Sequence, residues 1–159
     1  MKKLILFLIV GVLFSCSNSN EDVLQTGNII NPKFDVNKMI GAWVNQTVKV
    51  NGQVFDYEHR EHCGIDVFAF YNREGNPYEY HENVYTDDNC ASHGITLEWK
   101  VKENMLIFFF GENLVLTYEV ISIDDTYFTV LTSDDYDNDG TIDTIEITAK
   151  REDPYGWFD

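Results

Sequence analysis

From Ala42 to Lys150 the chain is a succession of short runs rich in Val, Ile, Thr, Phe and Tyr, each cut off by turn-forming residues, with no apolar period of 3.6 anywhere. Such a pattern buries its apolar side chains as β-strands, so the expected fold class is all-β. The clearest run alternates Ile95, Leu97, Trp99 and Val101 with Thr96, Glu98, Lys100 and Lys102. One face is apolar and the other solvated, as a half-buried antiparallel strand requires. Val48-Lys49-Val50 and Val54-Phe55 flank Asn51-Gly52, a pair that tolerates the positive φ of a type I′ hairpin turn.

Further strands are expected at Ile65 to Tyr71, Tyr78 to Tyr85, Met105 to Phe110, Leu114 to Ile123, Tyr127 to Thr132 and about Ile142 to Lys150. These make about nine strands on short loops, an arrangement that favours pairing in chain order. So long a sheet would expose two adhesive edges unless it closed. The expected architecture is therefore an up-and-down antiparallel β-barrel of about eight to nine strands. A two-sheet sandwich is the alternative, but it usually needs longer crossover loops.

Ahead of the body stand Lys2 and Lys3, an apolar run from Leu4 to Phe14, then small or polar residues from Ser15. That order is the profile of a signal peptide, and the run is well short of the roughly 18 residues of a permanent membrane span. Leu13-Phe14-Ser15-Cys16 resembles a bacterial lipobox, which implies acylation of Cys16. An ordinary signal peptide with an incidental cysteine is the alternative. Several acyl chains anchor stably where one does not. The expected division is residues 1–15 as lipoprotein signal peptide, 16–38 as lipidated N-terminus and flexible spacer, and 39–159 as the barrel domain. Ser17 after the cysteine favours the outer membrane, facing the periplasm or the cell surface.

Loss of Lys2 and Lys3 with the leader removes two positive charges and no acid, taking the formal charge from −16 to −18. Such a surface repels nucleic acid, which is excluded as a partner. With Cys16 acylated, Cys63 and Cys90 remain in a compartment that permits disulfides. A bridge between them competes with a metal site built on His59, His62 and Cys63, with His81 and His93 further along. That cluster lacks the second closely spaced pair of a zinc site.

Ile40-Gly41-Ala42-Trp43 is similar to the glycine-x-tryptophan opening of lipocalins. Cys63 and Asp66 before Phe68 and Phe70, a turn at Gly75, Cys90 and the Trp99 strand together resemble the lipocalin-like lipoproteins of Gram-negative bacteria of the Bacteroidetes type. The resemblance implies a lipocalin-like barrel in which Trp43 closes one end and Cys63 pairs with Cys90. It names no ligand.

The acidic run Asp135-Tyr136-Asp137-Asn138-Asp139-Gly140-Thr141-Ile142-Asp143 places oxygen donors at alternate positions around a glycine bend. This is the chemistry of a calcium loop. The expected Ca2+ ligands are Asp135, Asp137, Asp139, the Thr141 carbonyl and Asp143. Glu146 is left out because Ile145 and Ile147 place it in a strand. A solvated acidic turn without an ion is the other reading.

No nucleophile elbow, zinc-protease helix or phosphate-cradling glycine loop occurs, so no enzymatic activity is expected. Two functions follow. In the first, the barrel binds or carries a small apolar ligand against Trp43, Val67, Ala69, Leu97, Trp99, Phe108 and Phe110. In the second, the barrel is filled and its outer surface serves a protein partner as an interaction or immunity-type module. Tyr78, Tyr80 and Tyr85 beside His81 would then form the contact patch.

Overall fold

The computed structural model describes residues 28–158 apart from Glu61, Glu74 and Gly75. The expected signal peptide, Cys16 and the first part of the spacer lie outside the described residues. Among them the strands are β1 (Ile29–Ile30), β2 (Gly41–Val50), β3 (Gln53–Asp56), β4 (Val67–Arg73) and β5 (Asn76–Tyr85), then β6 (Ser92–Lys102) and β7 (Met105–Phe110). The last three are β8 (Asn113–Ile123), β9 (Tyr127–Asp134) and β10 (Asp143–Arg151). No α-helix occurs among the described residues.

Each strand from β4 to β10 pairs antiparallel with the next, and β10 pairs with β2 from Ile145 opposite Val50 to Arg151 opposite Trp43. With β2 joined to β4, an eight-stranded antiparallel barrel closes. Closure leaves no long unpaired edge, as the argument from sticky edges requires. The Asn51-Gly52 hairpin forms with φ of 49° and 90°. Its second strand, β3, runs end to end with β4 along one edge of β2, pairing at Thr47–Val50 while β4 pairs at Gly41–Trp43.

One end of the barrel is shut. The 3-10 turn Val36–Met39, capped by the Asp35 carboxylate, lies across it. Parallel pairing of β1 with Val101 and Lys102 of β6 adds a second cover. Residues 28–38, expected in the spacer, therefore belong to the folded body. Ile29, Phe34 and Val36 pack on the core, and that burial outweighs the polar composition that suggested a linker.

Beneath the turn Trp43 is fully buried and donates from its indole nitrogen to the Met39 carbonyl at 2.9 Å. The Arg151 guanidinium lies 4.3 Å from the Trp43 ring and donates to the carbonyls of Ile40, Lys38 and Asp125. Gly41 makes this possible: at its φ of 139°, a Cβ would stand 2.3 Å from Arg151 Nη1. No other side chain leaves the guanidinium room.

Two apolar clusters result. The larger fills the barrel around Phe70, whose ring centre lies 5.3 to 6.1 Å from those of Tyr80, Trp99, Phe108 and Phe128. The smaller lies on the outer wall, where Ala42, Val44, Val67, Ala69 and Tyr71 are covered by Trp157. Phe158 stacks on Tyr71 with ring centres 4.7 Å apart. Tyr155 ties the tail down, its hydroxyl donating to the Ile65 carbonyl and accepting from the Ile65 amide.

Candidate functional site

Inside the barrel, between the shut end and the opposite rim, lies a cavity of about 50 Å³. A buried water needs roughly 10 to 15 Å³, so the space takes a few waters or a small head group. Its wall is aromatic, with Phe68, Phe70, Tyr80, Phe108, Tyr118 and Phe128 on it. Strand alternation explains the set. Phe68 and Phe70 stand opposite Glu82 and Tyr80 across the β4–β5 ladder, and residues directly opposite share a face.

Two polar side chains join the rings, Asn45 and Glu82. Among the described residues no Lys or Arg lines the cavity. Burial pushes the Glu82 carboxyl above its ordinary range, opposed by a hydrogen bond with the Tyr80 hydroxyl and reinforced by the charge of Asp66. Tyr80 and Tyr118 are both pushed well up, by burial first and by the Glu82 charge second. A carboxyl among rings, with no Lys or Arg on the wall, has its charge only partly offset.

The ligand set expected from sequence is only partly brought together. Phe108 lines the cavity. Trp43, Leu97 and Trp99 belong to the same core but pack away from the cavity. Val67 and Ala69 do not face inward at all: they lie on the outer wall under Trp157. The cause is that β4 reads Val-Phe-Ala-Phe-Tyr, apolar on both faces, so its pattern carries no direction. The large rings fill the interior and the small pair accommodates the tail. Phe110 ends β7 at the rim and is 68% exposed. The expected tyrosine patch also dissolves, since Tyr80 is buried in the barrel and Tyr78 packs edge-on against Trp99.

Glu82, Asn45, Tyr80 and Tyr118 were missed as site residues. For Glu82 a signal existed: in Tyr78-Glu79-Tyr80-His81-Glu82 it shares strand parity with both inward tyrosines.

At the open end Cys63 and Cys90 form the disulfide, joining the β3–β4 loop to the β5–β6 loop. The metal alternative falls, because both thiols of the His62, Cys63, Cys90 group are consumed. His59 is also spent: its Nδ1 accepts from the Asp66 amide at 3.3 Å, so Nε2 donates to the Asn45 carbonyl at 2.9 Å. Buried Asp66 accepts from the Tyr57 hydroxyl and the Tyr85 amide, pinning this loop over the barrel mouth.

The β9–β10 loop gathers carboxylate oxygens of Asp135, Asp137 and Asp143 within 4.8 Å of one another. Asp139 instead accepts from the Thr141 amide at 2.7 Å, and Glu146 pairs with Lys49 at 2.9 Å. Asp143 also accepts from the Asn51 side chain and the Tyr136 amide, so the loop is fastened to the Asn51-Gly52 hairpin. Around the same rim Val54, Phe55, Phe110, Leu114 and Ile142 are exposed.

The sequence profile of the lipocalin-like domain matches residues 39–130, more than half of the chain. The chain belongs to the lipocalin-like domain family. That family's fold is typically one of binding proteins rather than enzymes. No curated protein matches in sequence. Among solved structures, insecticyanin from the tobacco hornworm Manduca sexta superposes with a TM-score of 0.52 at 13% identity, over 76% of this chain and 65% of its own. A lipocalin-like protein from Bacteroides uniformis aligns with a TM-score of 0.49 at 8% identity, over 72% of this chain and 99% of its own. A protein from Bacteroides eggerthii aligns at 0.45 and 11%, again over 72% and 99%. The lipocalin-like barrel, shut at the Trp43 end and open at the disulfide end, is consistent with binding a small ligand between its walls.

Proposed function

We propose that this protein is a lipoprotein, held through acylated Cys16 on the outer membrane, whose lipocalin-like barrel binds or carries a small, largely apolar ligand. The observation that carries the reading is the ring-lined cavity beneath an exposed apolar rim. Binding sites are commonly concave, apolar and equipped with few polar groups. A neutral apolar dye, N-phenyl-1-naphthylamine, is expected to bind saturably with enhanced fluorescence, and solvent extraction of the natively purified protein is expected to release a compound visible by mass spectrometry. A linear dye response together with a clean extract sinks the ligand reading. Replacing Cys16 by Ser is expected to move the protein from the membrane to the soluble fraction and to abolish incorporation of a clickable palmitate analogue. Retention of both signals sinks the anchor.

The acidic loop binds Ca2+, with Asp135, Asp137 and Asp143 as convergent donors and Asp139 and the Thr141 carbonyl from the same run. The hard carboxylate set fits that ion. Bound Ca2+ relieves repulsion among these acids and stiffens the rim next to the β2–β3 hairpin.

A second reading rests on the density of rings around Phe70. Here the barrel is a filled scaffold, stabilised by calcium and the disulfide, whose surface meets a protein partner. Failure of every small apolar probe to enter, with specific capture of one stoichiometric partner, selects it.

A further inference from the structure

We infer that the ligand is an amine, whose ammonium group sits against the Glu82 carboxylate inside the ring wall while its apolar part points to the open rim. The inference rests on the barrel interior being a ligand site and adds the chemistry of the ligand.

Three observations carry it. Among the described residues Glu82 is the one acidic side chain on the cavity wall, and no Lys or Arg lines the cavity with it. The groups that face it are the Tyr80 hydroxyl beside it on β5, Tyr118 on β8, Asp66 ahead of β4, Tyr57 in the β3–β4 loop and His93 on β6. Of these the Tyr80 hydroxyl and His93 favour the carboxylate and the rest are neutral or anionic, so no Lys or Arg salt-bridge partner on the cavity wall offsets its charge. A ligand ammonium supplies that partner.

The second observation is the wall itself. Phe68, Phe70, Tyr80, Phe108 and Tyr118 line the same cavity as the Glu82 carboxyl. Aromatic rings attract a desolvated cation through their quadrupoles, and a cage of rings with one carboxylate recognises ammonium groups in preference to neutral ones.

The third is scale. About 50 Å³ holds a head group and not a whole drug-sized molecule. The remainder of a bound amine extends past Phe55, Phe110, Leu114 and Ile142 at the rim. A formal charge of −16 raises the local concentration of such cations around the mouth.

The test compares three probes that share one tail: octylammonium, 1-octanol and octanoate, titrated into the full-length protein by calorimetry. Octylammonium is expected to bind at least tenfold more tightly than octanol, with octanoate weakest. In Glu82→Gln, which keeps the side chain's size, the ratio of octylammonium to octanol affinity is expected to fall below twofold. Equal binding of all three by the native protein overturns the amine inference and leaves the small-ligand reading standing. An amine preference that survives in Glu82→Gln assigns it to the surface charge and overturns the inference. Binding of none of the three overturns both.

Discussion

At the shut end of the barrel a single cation, Arg151, is fully occupied: three backbone carbonyls accept from it and the Trp43 ring lies beneath it. At mid-barrel toward the open end an acid, Glu82, meets a tyrosine hydroxyl and His93, and no Lys or Arg lines the cavity with it among the described residues. The shut end spends its charge on orphan carbonyls around the 3-10 turn and so secures the fold. The open end keeps a partly compensated acid among rings, which costs stability, and a perturbed group of this kind is the mark of a candidate site. At the mouth the disulfide fastens the β3–β4 loop to the β5–β6 loop covalently.

The largest expected effect strikes the shut end. Trp43→Ala removes a fully buried indole, its hydrogen bond and the platform for Arg151, and is expected to lower stability by about 4 kcal/mol. Denaturant unfolding measures it, and a loss under about 1 kcal/mol would show that this end does not secure the barrel.

Next comes the mouth. Replacing Cys63 and Cys90 together by Ala opens a loop of 27-residue separation and is expected to cost about 3 kcal/mol in the chain-entropy model. The same comparison sharpens if octanol binding weakens in this double variant and not in a shut-end variant, since the disulfide then shapes the mouth.

Calcium ranks third. At a concentration about tenfold above its Kd, Ca2+ is expected to stabilise the protein by about 1.4 kcal/mol, read as a rise in Tm over the same sample in EDTA. Asp137→Asn, at an exposed donor that holds no strand contact, is expected to abolish the rise. An unchanged Tm in millimolar Ca2+ removes the ion from the account.

The smallest effect on stability is at Glu82, and its sign follows from the raised pKa. Between the ordinary carboxyl range and the raised folded value, the native state holds a proton that the unfolded chain has lost. Stability therefore falls as pH rises through that window. Glu82→Gln removes the fall and leaves the variant more stable than the native protein at neutral pH. Parallel pH profiles for the two would place the carboxyl in contact with solvent.

Much of the fold was legible. Turn residues delimit the strands, and the alternation from Ile95 to Val101 gives Leu97, Trp99 and Val101 as buried, as the structure has them. The Asn51-Gly52 turn and the closure of the sheet follow from local chemistry and from the cost of open edges. The site was less legible. Bulges at Gln46, Val115 and Ile121 each insert a residue and exchange inward for outward positions partway along a strand. On β4, with both faces apolar, no local signal separates Phe68 and Phe70 inside from Val67 and Ala69 outside.

The amino-acid sequence by itself determined the strands and their order, because these depend on residues near in the chain and on a period of two. The shut end, by contrast, is held by tertiary contacts such as Arg151 with the carbonyls of Lys38 and Ile40. Only the tertiary structure decided what the cavity contains. Which face of β4 turns inward depends on the C-terminal segment that brings Trp157 to cover the other face. Whether Glu82 meets water or rings depends on Phe68 and Tyr118 from strands far away in the chain. Burial is a property of the closed barrel, and no single strand carries it.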